Sequence, residues 1–264
     1  MISSANLKSS YDEHGYVVCE NLLPDSVIEE LRRVIDQVVS DGLSLKRSND
    51  IYEIPEDIET SEPRIERINS PHTIDSVFNS LIRRQEITNV LQELLGPNVR
   101  MQNSKLNLKL PGGSAPVEWH QDWAFYKHQD NRYIDVLVHL DDTCHQNGEI
   151  RFLDGSHQNG ALNHITQNPD GTDCTPHLPT NQYLLADTVP VPAERGDVVC
   201  FNLHTIHGSH INQTDVNRRI VRFGYRHPEN EQNSGQSIGR PGLMVRGNRN
   251  RQKEQELFSN AGPK

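Results

Sequence analysis

Apolar residues recur at helical spacing twice in the N-terminal part of the chain, then give way to alternation. Val27, Leu31, Val34, Ile35 and Val38 mark one face of a helix that opens after Leu22-Leu23-Pro24-Asp25 and stops at Gly42. Ser26 with Glu29 three residues on predicts a capping box at its start. Just upstream, within Tyr11 to Glu20, the run Gly15-Tyr16-Val17-Val18-Cys19 predicts a short strand. A second helix is expected from Asp75 to Leu95, with Val77, Leu81, Ile87, Val90, Leu91 and Leu94 on its apolar face and Gly96-Pro97 as its stop. The connection from Lys46 to His72 is polar and broken by Pro55, Pro63 and Pro71, which predicts an ordered loop or a lid.

Beyond Pro97 the period falls to two. Leu106, Leu108 and Leu110 alternate with Lys105, Asn107 and Lys109, the pattern of a half-buried strand, and Pro111-Gly112-Gly113 ends it. Further strands are expected at Tyr133–Leu140, Glu149–Leu153, Thr188–Pro192, Val198–Phe201 and Ile220–Arg226. The polar stretch from His157 to Thr180, rich in Asn, Gly and Pro, is long for a plain connection and is expected to cover an active site. With no repeat and no linker, one domain over 1–264 is the economical division. Helical support occupies about 1–98, a barrel core about 99–228 and a C-terminal extension 229–264. The predicted class is α+β, mainly β: a double-sheet jelly roll behind supporting helices, with a pocket on the inner face of one sheet.

Composition narrows the partners. A formal net charge of −10 repels phosphate backbones and anionic lipid, so nucleic acid and membrane surfaces are disfavoured. No apolar run approaches a membrane span, and the N-terminus lacks the basic and apolar regions of a signal peptide. The four cysteines, Cys19, Cys144, Cys174 and Cys200, form no C-x-x-C pair and suit reduced thiols in a cytoplasmic protein. Whether the protein is a monomer or a homodimer is left open by the sequence.

The chemistry centres on Val117-Glu118-Trp119-His120-Gln121-Asp122-Trp123. His120 and Asp122 are two residues apart and project from one face of a strand. A later His207 completes two imidazoles and one carboxylate, the donor set of non-heme Fe(II) oxygenases, with positions left for cosubstrate and O₂. An H-x-D pair alone is weak. His128, His145, His157, His164 and His210 are assigned to loops or the surface. His139 divides between facing a cavity and being a hydrogen-bonded core residue. Trp119, Trp123, Phe125 and Tyr126 line a pocket or belong to the core. Asp197 suits a turn in Arg195-Gly196-Asp197.

The triad keeps company in a fixed order: Trp119-His120-Gln121-Asp122, Asn147-Gly148-Glu149-Ile150, Gly155-Ser156-His157, Arg195 to Phe201, His207-Gly208-Ser209, then Arg218. This series resembles the phytanoyl-CoA dioxygenase family of Fe(II)/2-oxoglutarate oxygenases. The likeness begins weakly at Gly15-Tyr16-Val17-Val18 and is strongest from His120 to Arg222. It implies a double-stranded β-helix with Fe(II) on His120, Asp122 and His207, and 2-oxoglutarate and O₂ as cosubstrates. His207 is preferred to His204 because Gly208-Ser209 and the spacing to Arg218 follow it. By the same resemblance Arg218 takes the far carboxylate of 2-oxoglutarate, a task that suits the two parallel donors of a guanidinium. Arg219, its neighbour, faces the other way on a strand. Ser209, Gln121 and Asn103 are further cosubstrate contacts on this view. Asp154 stands where the family usually has proline, a change in a turn.

The expected activity is oxidation, in the first place hydroxylation, of an unactivated C–H bond of a small metabolite, with release of succinate and CO₂. Asp122 retains the carboxylate that related halogenases lack, which points away from halogenation. Trp123, Phe125, His139 and Arg222 are candidate substrate contacts, and Arg222 shares a strand face with Arg218 by alternation. Two alternatives stand beside this reading. One is a non-catalytic metal-binding barrel, and the other a cupin-type hydrolase or isomerase using Zn²⁺ or Mn²⁺. Arg218 discriminates, since a hydrolase has no use for a cation reserved for a dicarboxylate.

Overall fold

The computed structural model describes residues 4–54, 64–111 and 116–247. In chain order its strands are β1 (Tyr16–Cys19), β2 (Tyr52–Glu53), β3 (Arg67–Asn69), β4 (Val99–Lys109), β5 (Val117–His120), β6 (Tyr133–His139) and β7 (Ile150–Phe152). They continue with β8 (Ile165–Gln167), β9 (Asp173–His177), β10 (Val189–Val191), β11 (Val198–Asn202), β12 (His207–Ser209), β13 (Arg218–Arg226) and β14 (Leu243–Arg246). The helices are α1 (Ser4–His14), α2 (Asp25–Gly42), α3 (Ser76–Leu81) and α4 (Gln85–Leu95).

Strands β1-β11-β6-β13-β4-β3-β2 form the larger antiparallel sheet, with β14 sharing the β4 edge beside β3. A smaller sheet has the order β10-β7-β12-β5. Period-two alternation gives each face of the larger sheet its own task. Ile134, Val136, Val138, Val198, Cys200, Val221, Phe223 and Tyr225 turn outward and bury α2, α3 and α4 through Ile28, Leu31, Ile35, Phe78 and Leu91. Leu137, Val199, Phe201 and Ile220 turn inward against Ile150, Phe152 and Val191 of the smaller sheet. Each such side chain contributes about 1.5–3 kcal/mol when fully buried. The inner side chains of β13 outside this cluster include Arg218 and Arg222, an unusual content for a core strand.

The mainly β class and most expected elements agree with these spans, and the departures have local causes. The sheets face one another without strand pairing that closes them into a barrel among the described residues. Helix α1 was not foreseen, because its sequence carries little amphipathic pattern; Leu7 and Tyr11 nonetheless bury against the outer layer. Helix α2 starts two residues earlier than the capping-box reading. Pro24 occupies the cap with φ −70° and makes no side-chain cap, so Ser26 lies inside the helix. The single helix expected over 75–95 is two. Asp75 caps α3 by accepting from the Val77 amide, and the break follows at Ile82, whose carbonyl accepts from the Tyr225 hydroxyl at 3.1 Å. The polar connection before His72 contributes β2 and β3 to the sheet edge, while Pro55 and Pro63 lie outside the described residues. So do Gly112-Gly113 and the end of the C-terminal extension beyond 247.

Candidate metal centre

Strands β5 and β12 are antiparallel neighbours in the smaller sheet, and their register sets His207 directly opposite His120. The imidazole centroids lie 4.2 Å apart. After His120 the chain stays extended through Gln121, with φ −106° and ψ 137°, before a 3-10 turn opens at Asp122. Asp122 therefore returns to the side of the sheet that His120 faces. Its Oδ1 lies 3.4 Å from His120 Nε2 and 3.9 Å from His207 Nε2. One ligand atom from each of the three falls within 4.8 Å of the others.

Both imidazoles are fixed through the other nitrogen. His120 Nδ1 is 2.7 Å from the Glu118 carbonyl, and His207 Nδ1 is 2.9 Å from the Thr205 carbonyl. A carbonyl only accepts, so each Nδ1 carries a proton and each Nε2 is the nitrogen turned toward Asp122. Burial, with His120 alongside, pushes His207 down to about 3, so it is neutral at pH 7. Burial by itself would raise Asp122, but the Arg222 guanidinium and His120 overcome it and hold the carboxyl well below its usual range. Two imidazole nitrogens and one carboxylate oxygen converging from one side fit a divalent first-row metal.

Arg222 reaches Asp122 from β13. Its Nη2 donates to Oδ2 at 3.0 Å and stands 2.5 Å from Oδ1 of Asp135, on neighbouring β6. Nη1 donates to the Tyr126 hydroxyl at 3.1 Å and to Asn103 Oδ1 at 3.2 Å. Asn103 in turn donates to the Tyr133 hydroxyl at 2.9 Å. Asp135 is fully buried, and that burial together with Asp122 raises it well above the usual carboxyl range. Thus Arg222 shares the inner face with Arg218, as alternation requires, but its charge is already met by carboxylates. Asp135 was missed, although an aspartate inside the apolar run Tyr133–Leu140 is itself a signal.

Arg218 occupies the far end of the same face. Only 5% exposed, it donates from Nη2 to the Gly148 carbonyl at 3.1 Å, while its buried Nε lacks a partner. Among the described residues no carboxylate pairs with it, and burial pulls it down to about 10, still a cation near neutral pH. An enclosed guanidinium with a spare donor fits a carboxylate brought in by a dicarboxylate cosubstrate. His139 lies beside it, opposite Ile220, with neither ring nitrogen hydrogen-bonded; burial pushes it down to about 3. Arg219 turns outward to Asp36 and Asp141, at 2.9 and 2.8 Å.

The remaining candidates divide. Phe125 meets the His120 ring edge-on at 5.4 Å, and Trp123 stands 6.3 Å from His204. Ser209 lies buried on β12, between Ile150 and Val117. Gln121 is fully buried with its amide committed: Nε2 donates to the Gly160 and His204 carbonyls, and Oε1 accepts from the Leu162 amide. It thereby ties the expected cover to the metal centre. That cover contains the β8–β9 hairpin and is anchored again where the Leu178 amide donates to the Trp119 carbonyl at 2.7 Å. Two of the histidines assigned to loop or surface make structural contacts. His164 accepts from the Gln121 amide at 2.9 Å, and His128 is buried 4.7 Å from the Tyr133 ring. Asp197 does serve a turn, accepting from the Asn21 and Glu194 amides.

A family model described as "Phytanoyl-CoA dioxygenase (PhyH)" matches residues 11–220. A probable alpha-ketoglutarate-dependent hypophosphite dioxygenase of Stutzerimonas stutzeri is 30% identical over 84% of this chain and 78% of its own. L-proline trans-4-hydroxylase of Streptomyces griseoviridis is 24% identical over 81% of this chain and 82% of its own. Among solved structures, EctD from S. alaskensis with bound Fe shares the fold with a TM-score of 0.72 at 20% identity, covering 89% of this chain and 80% of that one.

Proposed function

We propose, for a chain that belongs to the phytanoyl-CoA dioxygenase family, that His120, Asp122 and His207 hold Fe(II) and that Arg218 receives the far carboxylate of 2-oxoglutarate. The protein is an Fe(II)- and 2-oxoglutarate-dependent dioxygenase. With O₂, that pairing supplies the oxidising power to functionalise an unactivated C–H bond, releasing succinate and CO₂. The observation that carries the residue assignment is the convergence of two imidazole nitrogens and one Asp122 oxygen within 4.8 Å.

The chain's own residues prepare the site. The Glu118 and Thr205 carbonyls fix the imidazole tautomers, and Arg222 orients the Asp122 carboxylate. Gln121 fastens the 160–162 segment over the centre, which limits water access. Ser209 and Asn103 line the inner face nearby, Asn103 through the Arg222 network. Phe125, Trp123 and His139 offer apolar and aromatic walls for a substrate. Retention of the Asp122 carboxylate supports hydroxylation over halogenation. Relatives named for hypophosphite and L-proline support a small-molecule substrate. No described helix is long and apolar enough to cross a membrane, and the four cysteines are free thiols, which supports a cytoplasmic enzyme.

The test is anaerobic titration of Fe(II)-loaded protein with 2-oxoglutarate, following the visible absorption band of the iron–keto-acid chelate. A saturable band that disappears in His207→Ala and needs more 2-oxoglutarate in Arg218→Ala is the expected result. Folded, iron-loaded protein that gives no band overturns the assignment.

A further inference from the structure

In the β4–β13 pairing Lys105 stands directly opposite Arg222, so both side chains rise from the inner face of the larger sheet. Their charges are met differently. Arg222 has Asp122 and Asp135. Among the described residues no carboxylate lies within ion-pair distance of the Lys105 amine. Its hydrogen bond goes to the neutral Oε1 of Gln236 at 3.2 Å, which uses one of three ammonium donors. Arg67, on adjacent β3, adds a second cation, but Glu53 balances it at 2.6 Å. The ammonium therefore has donors to spare.

Its surroundings connect it to the metal centre. The Gln236 amide donates to the Phe125 carbonyl at 2.7 Å, and the Phe125 ring abuts His120. A chain of contacts thus runs from Lys105 through Gln236 and Phe125 to His120. Burial, then Arg67 and Arg222, pulls Lys105 down to about 8, while Glu53 and Asp122 act to keep it protonated. A half-buried ammonium with donors to spare gains from an anion brought by a ligand.

We propose that Lys105 binds the acidic group of a small anionic substrate, a carboxylate or a phosphorus oxyanion, and so holds the rest of the molecule over His120, Asp122 and His207. This rests on the dioxygenase reading above and supplies the substrate class that reading lacks. Lys105 is a specificity residue, separate from Arg218, which pairs with Lys109 four residues further along β4.

The experiment uses Fe(II)- and 2-oxoglutarate-loaded protein without oxygen and adds acetate, methylphosphonate or phosphite in turn. Calorimetry reports binding, and perturbation of the keto-acid band reports proximity to the iron. At least one anion is expected to bind the natural protein and shift the band. Lys105→Met weakens that anion by about tenfold or more, Lys105→Arg restores most of it, and neither changes 2-oxoglutarate affinity. Whether acetate or the phosphorus anions bind tells the two headgroups apart. No binding by any of them, or equal binding to Lys105→Met, overturns the proposal. Failure of the band itself with 2-oxoglutarate alone is a different result: it sinks the dioxygenase reading, and this proposal with it.

Discussion

Arg222 grips Asp122 through the oxygen that the imidazoles do not face: Nη2 meets Oδ2 at 3.0 Å, while Oδ1 lies toward His120 and His207. A guanidinium thereby holds one oxygen of the carboxylate and leaves the other toward the metal position. It also separates the charge of Asp122 from Asp135. Arg222→Met would leave two buried carboxyl groups without their cation. Removing one partner of such a pair costs about 3–5 kcal/mol of stability. Loss of an outer hydrogen bond to a ligand weakens metal binding about 10–100-fold. Thermal unfolding and competitive Fe(II) titration measure the two effects. Unchanged metal affinity in a folded variant would refute the orienting role.

Arg218 presents a different test, since among the described residues no carboxylate pairs with it. Replacing it with alanine removes the charged hydrogen bonds expected with 2-oxoglutarate, worth about 1.5–3 kcal/mol, or roughly 10–150-fold in half-saturation. Lysine restores charge but not two parallel donors, so an intermediate value is expected. Fe(II) affinity should hold steady in both variants, which separates cosubstrate binding from collapse of the centre.

Gly208 lies between the two imidazole-bearing strands. A Cβ there would approach Cε3 of Trp119 to 2.6 Å and the Val117 carbonyl oxygen to 2.7 Å. The second contact is with backbone and cannot swing aside. Gly208→Ala must spread β12 from β5 and with it His207 from His120. A stability loss of about 1–3 kcal/mol is expected, with weakened metal binding. Wild-type Fe(II) affinity in this variant would show that the close strand approach is dispensable.

Acid sensitivity should trace in part to His139. Its folded value of about 3 lies far below the ordinary 6.5, because burial disfavours the charged ring. As pH falls below 6.5 the unfolded chain takes a proton that the folded chain refuses, so stability drops progressively from there down to about 3. At pH 5 the cost is about 2 kcal/mol, at roughly 1.4 kcal/mol per unit. His139→Leu should flatten this part of the pH–stability curve, as read by urea unfolding between pH 5 and 7. An equally steep curve would assign the sensitivity elsewhere, His128, pushed down to about 4 by burial, being the next group to examine.

What the sequence determined by itself was whatever depends on spacing. Apolar patterning marked β4, β6, β7, β10, β11 and β13, though not β8, β9, β12 or β14, and a period of two put His120 with Asp122 and Arg218 with Arg222 on common faces. The ordered motifs added the reaction class. Tertiary structure decided how each charge is met, because those partners lie far apart along the chain. Arg222 finds Asp122 a hundred residues away and Asp135 on a neighbouring strand. That turns a candidate substrate contact into the residue that orients a metal ligand. Gln121 spends its amide on carbonyls from two distant loops, and the Tyr225 hydroxyl bonds the Ile82 carbonyl where α3 ends. Lys105 belongs to the same group: its alternation predicted only a solvent-facing side of a strand, whereas packing half-buried it beside two arginines. Periodicity records which way a side chain points. What waits there, and whether water is excluded, is fixed only when the sheets and loops close over it.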